Sequence, residues 1–181
     1  MALSPIVKAT LRSALISAAS NVLAQGITSY RHEIPFVLDS QMLFHFTLCS
    51  LILSPLTFLW LEGLESRFPG FDGKEPGKEK DKEKPRLNVK NTVTKIAVDQ
   101  IIGGAWNTVA FIAIMGFLRG QQYKGIKAEI LNNFWPFMLA GLKLWPLVSI
   151  LNFTVVPPSQ RLLVGNLFGV VWGVYLSLIA A

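Results

Sequence analysis

WPFMLAGLKLWPLVSILNFTVVPPSQRLLVGNLFGVVWGVYLS, residues 135–177, holds three of the five tryptophans, two Trp-Pro pairs, a Val-Pro-Pro break and a single arginine, Arg161. From Leu162 to the end at Ala181 there is no charge. A run of about 20 uncharged, mostly apolar residues is long enough to cross the hydrocarbon core of a bilayer as a helix. The rest of the chain has to be consistent with a membrane.

Composition agrees. Hydrophobic residues make up 51% of the chain against 15% charged, and mean hydropathy is +0.44. Most charges crowd into one stretch between Glu62 and Lys95, which leaves long apolar runs elsewhere. That distribution predicts an all-α, multispanning transmembrane bundle forming a single integral membrane domain over 1–181. The net charge of +6 then reads as basic loops beside apolar spans, not as a nucleic-acid surface. The one cysteine, Cys49, lies in an apolar run and excludes an intrachain disulfide.

Taken in order, the chain predicts about four spans plus one amphipathic or re-entrant segment. The first segment, 5–30, is rich in small residues and carries Asn21 and Gln25 four apart, on one helix face that should point into the bundle. The second, 42–61, is uncharged with Pro55 inside, where a kink is expected. A charged flexible loop follows at 66–90, with no apolar residue in its core GKEPGKEKDKEKPR. The third segment, 96–118, has Asp99 and Gln100 just inside its start. Lys95 and Asp99 are four apart and placed to pair. QQYKGIKAEI is expected along the interface ahead of segment four, 133–153. That segment carries Lys143 at its middle and is interrupted by its Trp-Pro pairs.

Charge counting orients the chain. If all five segments cross, 12 basic residues fall on the side of the long loop and 4 on the other. The bias puts the loop on the cytosol-like side.

No catalytic or metal pattern is present: two histidines, one cysteine, and no HExxH, CxxC, P-loop or GxSxG. The expectation is a non-enzyme without a cofactor, partnered by the lipid bilayer and with no nucleic acid. What remains is a set of polar residues on apolar helices: Asn21, Gln25, Asp99, Gln100, Asn107, Lys143, Asn152, Arg161 and Asn166. In lipid they must face one another or water. One reading is interhelical hydrogen bonding, worth roughly 1 kcal/mol each. The other is a narrow aqueous path for small solutes.

The order Trp145-Pro146, Asn152-Phe153, Val156-Pro157, Arg161, Asn166, Trp172 and Tyr175-Leu176-Ser177 resembles the C-terminal signature of a eukaryotic family. That family comprises the 22-kDa peroxisomal membrane proteins and their mitochondrial inner-membrane relatives. The usual Gln after Trp-Pro is Ser149 here, and a Gly-Asp pair common near the start is Ser20-Asn21. Pro5, Lys8, Leu15, Ser17, Ala18, Asn21 and Leu23-Ala24-Gln25 resemble the peroxisomal branch. The resemblance implies four spans and a passive, weakly selective channel for small metabolites. It also implies a peroxisomal membrane location, with the mitochondrial inner membrane as the alternative. A bundle this small leaves little room for a pore, so a homo-oligomer is compatible. A structural or tethering membrane protein is the rival expectation.

Overall fold

The computed structural model describes residues 3–72 and 86–179, with side chains at 72 and 175–179 left aside. Seven α-helices account for most of it: α1 (Pro5–Arg31), α2 (Ser40–Arg67), α3 (Val89–Val98), α4 (Gly104–Leu118), α5 (Tyr123–Gly141), α6 (Trp145–Thr154) and α7 (Arg161–Ile179). A π-turn, Asp99–Gly103, joins α3 to α4, so that 89–118 runs as one 30-residue helix. A 3-10 turn, Pro158–Gln160, leads into α7.

The helix starts follow local chemistry. Ser4 accepts from the Val7 N–H and Pro5 opens α1, where a missing N–H costs nothing. Asp39 accepts from Met42 N–H at 2.8 Å to cap α2. Asn88 accepts from Asn91 N–H at 2.9 Å to cap α3. Pro146 sits in the first turn of α6.

α1 packs along α2 and α7, α2 also meets α4 and α7, α4 lies against α5, and α6 rests on α3, the π-turn and α7. The burial is inverted relative to a water-soluble core. Buried residues include Lys95, Arg161, Asn21, Asn152 and Ser13, while Leu15, Phe44, Ile101, Leu131 and Leu147 stand exposed. Polar groups inside and apolar groups outside is the pattern lipid imposes.

Among the described residues, α2 and 89–118 are long and apolar enough to cross a membrane by length and hydropathy. The α5–α6 pair adds a third if taken as one broken span. α7 from Leu162 onward is uncharged and apolar. A count of four spans is therefore an approximation.

The segment-four boundaries change. QQYKGIKAEI does not stand apart: its residues from Tyr123 run directly into α5. The break falls at 142–144, and α5 and α6 are bent 57° to each other across it. Of the two Trp-Pro pairs, Pro146 begins a helix while Pro136 lies inside α5. The freed carbonyl of a Pro is tolerated mid-helix, whereas a first-turn Pro loses nothing. Pro55 likewise lies within α2, which continues on both sides of it.

The charged loop narrows as well. Arg67 ends α2, Val89 and Lys90 open α3, and a two-residue ladder pairs Phe71 with Leu87 and Asp72 with Arg86. The charged centre of the loop, 73–85, lies outside the described residues.

Candidate functional site: two polar clusters around the broken helices

The first cluster is built on the π-turn. Asp99 opens it, and its two carboxylate oxygens are taken by different helices. Trp60 of α2 donates its indole N–H to Oδ1 at 3.0 Å, and Ser149 of α6 donates its hydroxyl to Oδ2 at 2.7 Å. Gln100 Nε2 then donates to Ser149 Oγ at 2.8 Å and to the Trp145 carbonyl at 3.4 Å. A π-turn puts one extra residue into the helix and re-aims side chains, a device frequent at functional sites. Here it points both Asp99 and Gln100 at α6.

Gly103 lets this happen. A Cβ there would lie 2.9 Å from Asp99 Oδ1 and 2.9 Å from Trp60 Nε1, between the two partners of the hydrogen bond. Gly103→Ala is expected to separate Trp60 from Asp99, costing about 1–3 kcal/mol. Thermal unfolding of the detergent-solubilised protein, read by tryptophan emission, checks it; an unchanged midpoint and spectrum would refute the close fit.

The second cluster lies one helical turn earlier. Lys95 Nζ donates to Glu65 Oε2 at 2.6 Å, and Arg161 Nη1 donates to the same oxygen at 2.5 Å. Both cations approach the ring of Phe153, at 5.2 Å for Lys95 and 5.1 Å for Arg161. Arg161 Nε also donates to the carbonyls of Asn152 (2.9 Å) and Val156 (3.3 Å) at the end of α6, and Asn152 Nδ2 donates to the Arg161 carbonyl (3.3 Å). Lys95 and Arg161 are 0% and 1% exposed. Glu65 Oε1 accepts from the Gly70 N–H at 2.9 Å, which ties the base of the charged loop into the cluster.

The expected Lys95–Asp99 pair is therefore corrected. Asp99 is held by Trp60 and Ser149, while Lys95 reaches across to Glu65. The helix is regular between them, since the Asp99 N–H still bonds the Lys95 carbonyl, so the spacing is right and stronger partners on α2 and α6 draw the two side chains apart.

The remaining polar candidates go elsewhere. Gln25 Nε2 donates to Asn21 Oδ1 (2.8 Å) and to the Asp39 carbonyl, while Gln25 Oε1 accepts from Asp39 N–H (2.7 Å). This pair shares a face as expected, but it locks the α1–α2 connection. Asn166 of α7 donates to Ser13 Oγ of α1 at 2.6 Å. Lys143 is exposed at the α5–α6 break, not in the middle of a continuous helix. Asn107 is half-buried on α4. The candidates thus form separate groups, of which only those around Asp99 and Arg161 adjoin.

The C-terminal signature acquires a physical meaning. Asn152, Phe153, Val156 and Arg161 meet in one knot, and the Trp145 carbonyl serves the neighbouring cluster. Trp172 is half-buried and Pro157 exposed. The side chains of Tyr175, Leu176 and Ser177 lie outside the described residues.

Glu65 is the residue the sequence reading missed. It lies between the apolar run 42–61 and the charged loop expected at 66–90, and α2 continues past the apolar run and carries it. Its spacing was the available signal: Leu61, Leu64 and Glu65 share a helical face. Among the described residues no group of three or more potential metal ligands is present.

Inverted burial, apolar helices of membrane-crossing length and polar side chains gathered at broken helices define a multispanning α-helical membrane protein. Residues 116–177 match the model of the Mpv17 / PMP22 family. A relative from Dictyostelium discoideum, PXMP2/4 family protein 3, is 31% identical over 97% of this chain and 84% of its own length. Protein sym1 of Schizosaccharomyces pombe is 23% identical over the same shares of the two chains. Protein SYM1 of Saccharomyces cerevisiae is 32% identical over 52% of this chain and 48% of its own length. The chain belongs to the Mpv17 / PMP22 family. No solved structure matches it.

Proposed function

We propose that this membrane protein is a passive, weakly selective channel for small solutes, with Asp99, Gln100 and Ser149 as its polar constriction. The observation that carries the reading is a carboxylate held at a π-turn against a helix pair bent by 57°. Discontinuous helices with polar groups at the break are where membrane proteins build solute and ion sites. A carboxylate within such a span is costly and is retained where it has a task. No catalytic step is part of the reading, and no cofactor. A second copy of the chain belongs to it, because so small a bundle has little space for a pore of its own. The peroxisomal membrane is the proposed location, supported by the residues of α1 that resemble that branch; the mitochondrial inner membrane is the alternative.

Planar-bilayer recording of the purified protein tests it. Discrete openings are expected, and Asp99→Asn, which removes the charge but keeps the shape, should shift the reversal potential in a salt gradient away from cations. Openings with an unchanged reversal potential would remove Asp99 from the conducting path. Silence from folded, inserted protein would end the channel reading.

One observation favours the rival, a non-conducting structural or tethering protein. Asn21, Gln25, Asn152, Arg161 and Asn166 each bond within the chain. Polar side chains spent on bonds within the protein need no water-filled path. The same recording separates the two readings.

A further inference from the structure

Lys95 and Arg161 come from different helices, are almost wholly buried, and converge on one oxygen of one carboxylate. The cluster is therefore one positive charge in excess. Taking an uncompensated charge out of water is expensive, and a second anion would relieve it. Two further buried oxygens nearby lack a hydrogen-bond partner among the described residues: Thr92 Oγ1 and Asn152 Oδ1. Thr92 lies three residues before Lys95, on the same helix face. Asn152 is bonded to the Arg161 backbone.

Glu65 also faces outward. Its side chain is 24% exposed and lines an open groove with Glu62, Ser66 and Pro158. Glu65 thus touches both the groove and the two buried cations, and a side-chain rotation toward the groove would open them to it. Glu62 on the rim is exposed, where salt screens its charge.

We propose that Lys95 and Arg161 form an oxyanion-binding site that Glu65 fills as a tethered surrogate, and that a phosphate-type oxyanion entering from the groove displaces that carboxylate. The guanidinium supplies directional donors and the ammonium a point charge, the combination that suits tetrahedral oxyanions. Thr92 adds a hydroxyl donor, and Asn152 Oδ1 can accept from a protonated phosphate oxygen. Free phosphate and the headgroup of an anionic lipid share this chemistry. The site does not depend on conduction.

The test is thermal unfolding of Glu65→Gln in neutral detergent, titrated with inorganic phosphate and, separately, with phosphatidate in mixed micelles. Phosphate at tenfold excess over its Kd should raise the midpoint by about 4 °C, with chloride at matched ionic strength giving no rise. Wild type should need more phosphate for the same rise, because Glu65 competes. A rise with phosphatidate alone assigns the site to a lipid headgroup. No rise with either, or an equal rise in Glu65→Gln combined with Lys95→Met, overturns the proposal. If Glu65→Gln does not fold, Glu65→Asp, whose carboxylate is one methylene further from the cations, serves in its place and should respond at less phosphate than wild type.

Discussion

Arg161→Leu is expected to destabilise the protein by about 3–5 kcal/mol, a fall in unfolding temperature of roughly 10 °C for a chain of this size. The sign needs an argument, because replacing buried ion pairs by apolar residues is often neutral or stabilising. Here the guanidinium does more than balance Glu65. Its Nε satisfies the carbonyls of Asn152 and Val156, at the end of α6, where no further helical turn supplies N–H donors. Leucine leaves both unsatisfied, at about 1–3 kcal/mol for the buried Asn152 carbonyl and less for the part-buried carbonyl of Val156. It also removes the link between the start of α7, the end of α6 and the end of α2. Glu65 and Lys95 remain as a neutral pair, so Coulomb repulsion is not the main cost. Arg161→Lys discriminates between the contributions. It keeps the charge toward Glu65 but cannot supply the fork, and it should recover less than half the loss. Thermal unfolding of the three proteins in one detergent decides the matter. A fall of under 2 °C for Arg161→Leu would mean that the carbonyls find other partners and that the knot holds little together.

The fold was legible wherever hydropathy dominated. The apolar runs at 42–61, 96–118 and from Leu162 to Ile179 lie within helices, because in lipid an unbonded backbone group is too costly for any other spanning form. What hydropathy could not locate were the ends and the irregularities. α2 runs on to Arg67 because Glu65 and Arg67 remain helical past the apolar boundary, and composition marks only that boundary. The π-turn at Asp99 follows from the bonds to Trp60 and Ser149, residues 39 and 50 positions distant. No local pattern encodes it. The break before Trp145 was foreshadowed by Pro146, but Pro136, in the same dipeptide context, marks no break.

The candidate site was half legible for the same reason. Intramembrane polarity singled out Asp99, Gln100, Asn152 and Arg161, and all four take part in the two adjoining clusters. Their partners needed three-dimensional contact. Ser149 was visible only as a departure from the family's usual Gln, and it turns out to bridge Asp99 and Gln100. A longer amide at 149 would have to fit against the same π-turn, so the small hydroxyl and the close approach of α6 go together. Asn21, Gln25 and Asn166 share the same chemistry yet serve elsewhere: Asn21 supports Gln25 within α1, Gln25 holds the Asp39 backbone at the start of α2, and Asn166 bonds α7 to α1. Polarity in an apolar segment identifies residues under constraint without saying which constraint.

Phe153→Ala should cost nearly as much as losing Arg161, about 3–5 kcal/mol. The ring is 1% exposed and meets both buried cations. In a bilayer protein the transfer of an apolar side chain from lipid gains little, so the usual hydrophobic contribution is not the source of this cost. Two others are: the void left where the ring packed, and the attraction of two desolvated cations to its π-face, about 2 kcal/mol for a contact of this kind. Without the ring, Lys95 and Arg161 lose a common support and repel each other with Glu65 alone between them. Phe153→Leu separates the contributions by keeping most of the volume and removing the quadrupole. It should retain the packing and lose about 1–2 kcal/mol. The measurement is the unfolding midpoint of Phe153→Leu and Phe153→Ala, alone and combined with Lys95→Met. If the cations draw on the ring, the Leu substitution costs less once Lys95 is gone, and that non-additivity is the coupling between them. Strict additivity would mean that the ring fills space and nothing more, and the excess positive charge of the cluster would then rest on Glu65 alone.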